Sequence, residues 1–245
     1  MKTPLLSLLA LLVAGCHFDK LLQGANGGQS PVGSTATRLS FTTQPSNGAA
    51  GAPLSTVRVA AEDAGGHVVS SFTSSITVSL QDNPGGATLS ATVTAANGVA
   101  TFSGLEIDKA AQGYTLSATA SGSGLTDATS TSFDIAPGPA SMLVFNVQPS
   151  NTAAGATITP PVQVWVFDNF GNQATTFTGS VTIAIGNNGG LLTHGKLSGN
   201  QAVSAVNGVA TFSNLSIDAA GNGYTLMTNI TGVSKESTPF NITVL

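Results

Sequence analysis

Beyond residue 38 apolar residues recur at every second position in short runs, and each run is closed by Gly, Pro, Asn or Asp. In the first half the runs are Leu39 to Thr43, Thr56 to Glu62, Ser75 to Leu80, Ala87 to Val93, Val99 to Leu105, Tyr114 to Ala120 and Thr131 to Ile135. Within the second of these, Val57, Val59 and Ala61 fall on one face of a strand and Arg58, Ala60 and Glu62 on the other. No run beyond the N-terminal stretch keeps a helical period. Seven short strands in about 100 residues, with turn signals about every ten, predict an antiparallel β-sandwich.

The second half repeats the first. Phe41-Thr42-Thr43-Gln44-Pro45-Ser46-Asn47 returns as Phe145-Asn146-Val147-Gln148-Pro149-Ser150-Asn151, and Asn97-Gly98-Val99-Ala100-Thr101-Phe102-Ser103 returns as Asn207-Gly208-Val209-Ala210-Thr211-Phe212-Ser213. Gly113-Tyr114-Thr115-Leu116 is answered by Gly223-Tyr224-Thr225-Leu226. The spacing between copies is 104 residues at Gln44/Gln148 and 110 at Tyr114/Tyr224, and most of the gain lies near Leu191 to Lys196, in a connection between strands. The chain is therefore expected to be all-β, with two tandem immunoglobulin-like sandwiches at 38–136 and 140–245, joined by a short Pro-Gly-Pro linker at 137–139. The two linker prolines limit bending between the copies. Tyr114 and Tyr224 each begin a strand after an Asp-bounded corner, where a tyrosine hydroxyl can bond nearby backbone as a tyrosine corner; the alternative is a plain core aromatic.

The lead-in Gln-Pro-Ser, the strand Val162-Val164-Val166-Asp168 ending in Asn169-Phe170-Gly171-Asn172, and the Asn-Gly-Val-Ala-Thr-Phe and Gly-Tyr-Thr-Leu strands resemble the bacterial immunoglobulin-like repeats of invasin- and intimin-type surface proteins. That resemblance covers residues 38–245. It implies a stalk, spacer, adhesin or enzyme appendage; the lectin-like tip of a true invasin has no counterpart here.

The N-terminus adds a location. Lys2, the apolar stretch Leu5 to Val13 and Val13-Ala14-Gly15-Cys16 read as a signal peptide over 1–15, too short to span a bilayer as a mature helix. The last four of these residues resemble a bacterial lipobox, which implies acylation of Cys16, the chain's single cysteine. Residues 16–37 lose all periodicity and read as a flexible tether with a reach on the order of 25 Å. His17, where the resemblance places an Asp as an inner-membrane retention signal, favours the outer membrane or cell surface.

Composition narrows the chemistry. With Lys+Arg 7 against Asp+Glu 11 and one Cys, the chain lacks the positive excess of a nucleic-acid binder and the paired thiols of a disulfide scaffold. No HExxH, CxxC, GxSxG, SxxK or Walker-type pattern occurs, and no cofactor, metal or catalytic residue is expected. His67 and His194 read as surface-loop residues, and Asp108 and Asp218 as turn-capping carboxylates. Asp168, Asn169 and Asn172 form the best oxygen-rich cluster, for which an Asx turn and a calcium site are the two readings. Gln163, Trp165 and Phe167 are expected to point outward from the strand that carries Val162, Val164 and Val166, where the first copy has Arg58, Ala60 and Glu62. They form a candidate ligand platform unless the insertion around Leu191 and Leu192, or the first copy, covers them. The expected function is a non-catalytic, lipid-anchored envelope module for adhesion, spacing or assembly, with the membrane and a surface protein or glycan as partners. The alternatives are a carbohydrate-binding module built on Trp165 and Phe167, and a non-catalytic part of an extracellular enzyme system.

Overall fold

The structure, a computed structural model, describes residues 34–244, which are strands and turns with no helix among them. The expected signal peptide over 1–15, the expected acylation site Cys16 and the expected tether up to residue 33 lie outside the described residues.

In the first copy β1 (Arg38–Thr43), β3 (Val57–Glu62) and β6 (Val99–Phe102) form one antiparallel sheet in the order β1-β3-β6. The facing sheet is built from β2 (Gly48–Ala49), β4 (Ser75–Leu80), β5 (Ser90–Thr94), β7 (Ala111–Tyr114), β8 (Leu116–Thr119), β9 (Ala128–Thr129) and β10 (Phe133–Ala136). Its upper half runs β5-β4-β8-β9 and its lower half β7-β10-β2, with β2 parallel to β10. The halves are continuous: only Thr115 separates β7 from β8, and where β9 and β10 part, the Ser130 hydroxyl accepts the Leu116 N–H at 2.9 Å. A first strand that leaves one sheet to pair in parallel with the last strand of the other is immunoglobulin-like topology, with the second and fifth main strands on one side and the third, sixth and seventh opposite.

The repeated lead-in explains that crossing. Gln44 Oε1 accepts the Thr131 N–H and Asn47 Oδ1 accepts the Asp134 N–H, so two side chains of the first strand's exit fasten it to the last strand. Gln148 with Thr238 and Asn151 with Asn241 repeat both bonds. The Asn97-Gly98 pair, at φ 51° and 78°, makes the two-residue turn into β6. Several strands are shorter than their expected runs, β6 ending at Phe102 and β10 starting at Phe133; Ala87 is outside β5, bracketed by Asn83, which accepts its N–H and donates to its carbonyl.

The second copy follows the same plan with β11 (Met142–Val147), β12 (Thr152–Ala153), β13 (Val162–Phe167), β14 (Ser180–Ile185), β15 (Leu197–Ser198), β16 (Ala202–Ser204), β17 (Val209–Phe212), β18 (Ser216–Ile217), β19 (Gly221–Tyr224), β20 (Leu226–Ile230), β21 (Val233–Glu236) and β22 (Phe240–Thr243). Its sheets are β11-β13-β17 and β16-β14-β20-β21, the latter continued by β19-β22-β12, while β15 and β18 form a small extra pair. Buried side chains fall into two clusters, one around Val57, Val59, Phe102, Leu116 and Phe133, the other around Val162, Val164, Phe212, Leu226 and Phe240. Burying one such side chain contributes about 1.5–3 kcal/mol, so each sandwich has its own source of stability.

Candidate functional site

Three features bear on the site: the tyrosine corners, the joint between the copies, and the outer face of the β11-β13-β17 sheet. Tyr114 and Tyr224 are fully buried, and their hydroxyls donate to the carbonyls of Lys109 at 2.8 Å and Ala219 at 2.9 Å. Burial raises the pKa of both phenols. Each hydroxyl ties the corner before its strand to the core, which is a structural task rather than a chemical one.

The joint is built on the Asp168–Asn172 loop. Asp168 Oδ1 accepts the N–H groups of Phe170 and Asn172, an Asx turn that Asp63 repeats in the first copy with Gly65 and His67. In the second copy the loop also reaches across. Asp168 Oδ2 accepts the linker Gly138 N–H and the Asn172 amide, both at 2.8 Å. Asn172 Nδ2 donates to the Asp108 carbonyl at 2.8 Å, its Oδ1 accepts the Ala110 N–H at 3.0 Å, and Lys109 Nζ donates to the Phe170 carbonyl at 3.0 Å. The Phe170 ring lies against Gly51, where a Cβ would overlap it. Burial alone would push the Asp168 carboxyl up, but the Asn172 amide and the backbone N–H groups of Gly138, Asn172 and Phe170 outweigh it and hold the pKa below the usual carboxylate range. Both oxygens of the Asp168 carboxylate are taken by N–H donors, and no group of three or more His, Cys, Asp or Glu that could hold a metal occurs among the described residues. Beside the joint opens a cleft of about 500 Å³. The one carboxylate on its lining, Asp134, already accepts the Gly113 N–H at 2.9 Å.

The expected capping by Asp108 and Asp218 takes a different form. Asp218 caps the inserted loop, accepting the Lys196 N–H at 2.7 Å, and Asp108 offers the joint its carbonyl. The insertion is closed by Asn188, whose side chain both donates to and accepts from Gly195, and it lies along β19 through the Leu191 N–H to Ala220 O bond. Leu191 and Leu192 are 69% and 98% exposed and lie in the loop that runs beside β19, a strand of the sheet opposite Trp165, so they do not cover it.

On β13 the burial alternates strictly: Val162, Val164 and Val166 are fully buried, while Gln163, Trp165 and Phe167 are half-buried on the outer face. The Trp165 and Phe167 ring centroids are 6.2 Å apart at 34°. Register places Met142 beside Phe167, and Val144 and Val209 on either side of Trp165. The corresponding places in the first copy hold an ion pair, Arg38 to Glu62 at 3.1 Å, and the row Ser40, Ala60, Val99. Met142 and Val144 are 40% and 43% exposed, and sequence reasoning overlooked them because alternate apolar residues on an edge strand read as ordinary patterning.

No family model matches the sequence, and no curated protein matches it. Among solved structures, the chain is similar to the Escherichia coli adhesin FdeC at 19% identity and a TM-score of 0.42, covering 88% of this chain and 66% of that one. It is similar to a β-glycosidase from Bacteroides vulgatus at 12% identity and a TM-score of 0.36, covering 85% of this chain and 25% of that one. The titin domains z1z2, solved in complex with telethonin, align at 14% identity and a TM-score of 0.28, covering 86% of this chain and 98% of that one. The chain thus spans two thirds or less of the adhesin and the glycosidase.

Proposed function

We propose that this chain is a non-catalytic module of a bacterial cell envelope: two immunoglobulin-like repeats, residues 38–136 and 140–245, carried on a lipid at Cys16 and acting as a spacer, adhesion or assembly element. The observation that supports this reading most directly is the joint. Five hydrogen bonds, from Gly138, Ala110, Lys109 and both donating contacts of the Asn172 amide, tie the Asp168 loop to the end of the first sandwich or close it there. A protein that holds a binding surface away from a membrane gains from such a joint, because it turns two units on a short linker into one stiff body. The lipid would hold the N-terminus at the outer membrane or cell surface, and the far partner would be a surface protein or glycan. Fractionation of cells expressing Cys16→Ser tests the anchor. Release of an otherwise folded protein from the membrane fraction is expected, and retention of the variant in membranes would overturn the anchored reading.

A further inference from the structure

The outer face of the β11-β13-β17 sheet combines three properties in one place. It is apolar along one row, with Met142 beside Phe167 and Val144, Trp165 and Val209 in register, and with Val206, 70% exposed, next to Val209. It is polar at the adjoining end, where Asn146, Gln163 and Thr211 share the outward side and Gln163 pairs with Thr211. It is also uncharged: none of β11, β13 and β17 carries an ionisable side chain, whereas β1 and β3 carry Arg38, Arg58 and Glu62.

We infer that this face is a platform for the pyranose rings of an extended β-1,4-linked glycan, with Trp165 and Phe167 lying against ring faces and Asn146, Gln163 and Thr211 meeting the hydroxyls. Such a ring is apolar on its C–H face and polar at its rim, and the sheet is divided in the same way. An uncharged face whose two aromatic rings follow one extended strand suits a ribbon-like neutral chain. A second copy of the protein or another folded partner needs roughly 20–30 residues a side for a stable interface, and this face offers about eight outward side chains. Nucleic acid and anionic lipid both require basic residues, which the three strands lack. The inference names the partner of the envelope module proposed above and rests on that reading only for its setting, since the anchor is tested by fractionation and the platform by binding.

Trp165 is the chain's single tryptophan, so its emission in the full-length protein reports this face alone. Titration with cellohexaose and chitohexaose is expected to shift and quench the emission, with the curved α-linked maltohexaose as the weaker ligand. By calorimetry, Trp165→Ala should weaken the hexaose that binds at least tenfold, Trp165→Tyr should stay within a few-fold of the native protein, and Leu192→Ala, in the loop beside the opposite sheet, should change nothing. Val144→Arg places a charge on the exposed face without entering the core, and should also weaken binding at least tenfold while leaving the unfolding midpoint in place. Failure of both β-1,4 hexaoses to alter the native emission would overturn the inference, as would unchanged affinity in either Trp165→Ala or Val144→Arg.

Discussion

Gly51 and Gly155 occupy equivalent corners, and the difference between them isolates the joint. Both have positive φ, 73° and 76°, and both donate their N–H to the isoleucine before the Asp corner, Ile107 and Ile217. A Cβ on Gly155 meets nothing within 4 Å, whereas a Cβ on Gly51 would overlap the Phe170 ring. Alanine at either site takes on a left-handed conformation at about 1–2 kcal/mol. At Gly51 the ring must also leave. Phe170 is 38% exposed, so roughly three fifths of the about 1.5–3 kcal/mol of a buried Phe is at stake, a further 1–2 kcal/mol or so. Gly51→Ala should therefore destabilise by about 2–4 kcal/mol and Gly155→Ala by about 1–2. In a chain of this size the difference corresponds to roughly 2–8 °C in unfolding midpoint, measurable by calorimetry. In the Gly51→Ala background, Phe170→Ala should add little further loss, because the contact it removes is already broken. Equal destabilisation by the two glycine substitutions would refute the reasoning, since it would mean that Phe170 does not rest on Gly51.

Asp168→Asn keeps the Asx turn through its carbonyl oxygen but points an amide at two other donors, the Gly138 N–H and the Asn172 amide. It should cost about 2–4 kcal/mol, because bonds to charged groups contribute about 1.5–3 each; a denaturation midpoint like that of the native protein would contradict it. Because the native Asp168 pKa lies below its unfolded value, this carboxylate's contribution is complete above the ordinary carboxylate range and is lost as the pH falls through the lowered native pKa. Acid should thus loosen the joint in the native protein, and unfolding of Asp168→Asn should depend less on pH in that window. Tyr114→Phe and Tyr224→Phe each remove a buried hydroxyl from a backbone carbonyl and should destabilise by about 1–2 kcal/mol, with changes under a few tenths speaking against the corner bonds. Both phenols, raised by burial, should ionise above free tyrosine in a spectrophotometric titration, and ordinary titration near pH 10 would contradict their burial.

The fold was legible because its determinants are local and repeated. Alternation at Val57, Val59 and Ala61 is a statement about one strand, and the Asn97-Gly98 turn is a statement about two residues. Even the outward direction of Trp165 follows from period two, and the sheet places its flanking valines as inward neighbours would require. The joint was not legible, because three of its bonds span more than sixty positions, as between Lys109 and Phe170. Read alone, Asp168-Asn169-Phe170-Gly171-Asn172 offers oxygen atoms, which is why it could suggest calcium. The signal available was comparative: the first copy has Asp63-Ala64-Gly65-Gly66-His67 at the same place, so Phe170 and Asn172 are additions that the turn itself does not need.

That comparison separates what folds the protein from what it is for. Both copies build the same sandwich from the Gln-Pro-Ser-Asn lead-in, the Asn-Gly turn and the buried tyrosine, so residues that differ between them at matched places are not required by the sandwich. The largest such differences sit at two places in the second copy. At the loop, Phe170 and Asn172 replace Gly65 and His67 and engage the first copy. On the sheet, Met142 and Phe167 stand where Arg38 and Glu62 form an ion pair, and Trp165 stands at the place of Ala60. Arg38 is half open to water and Glu62 is largely buried, while in the second copy Met142 is exposed and Phe167 half-buried; since both copies reach the same sandwich, the fold itself does not demand the change. Apolar surface left open to water is unfavourable in the isolated protein and becomes favourable only when something covers it. The first change ties the two repeats together at the joint, and the second gives the second repeat the outer face on which the inferred glycan platform rests.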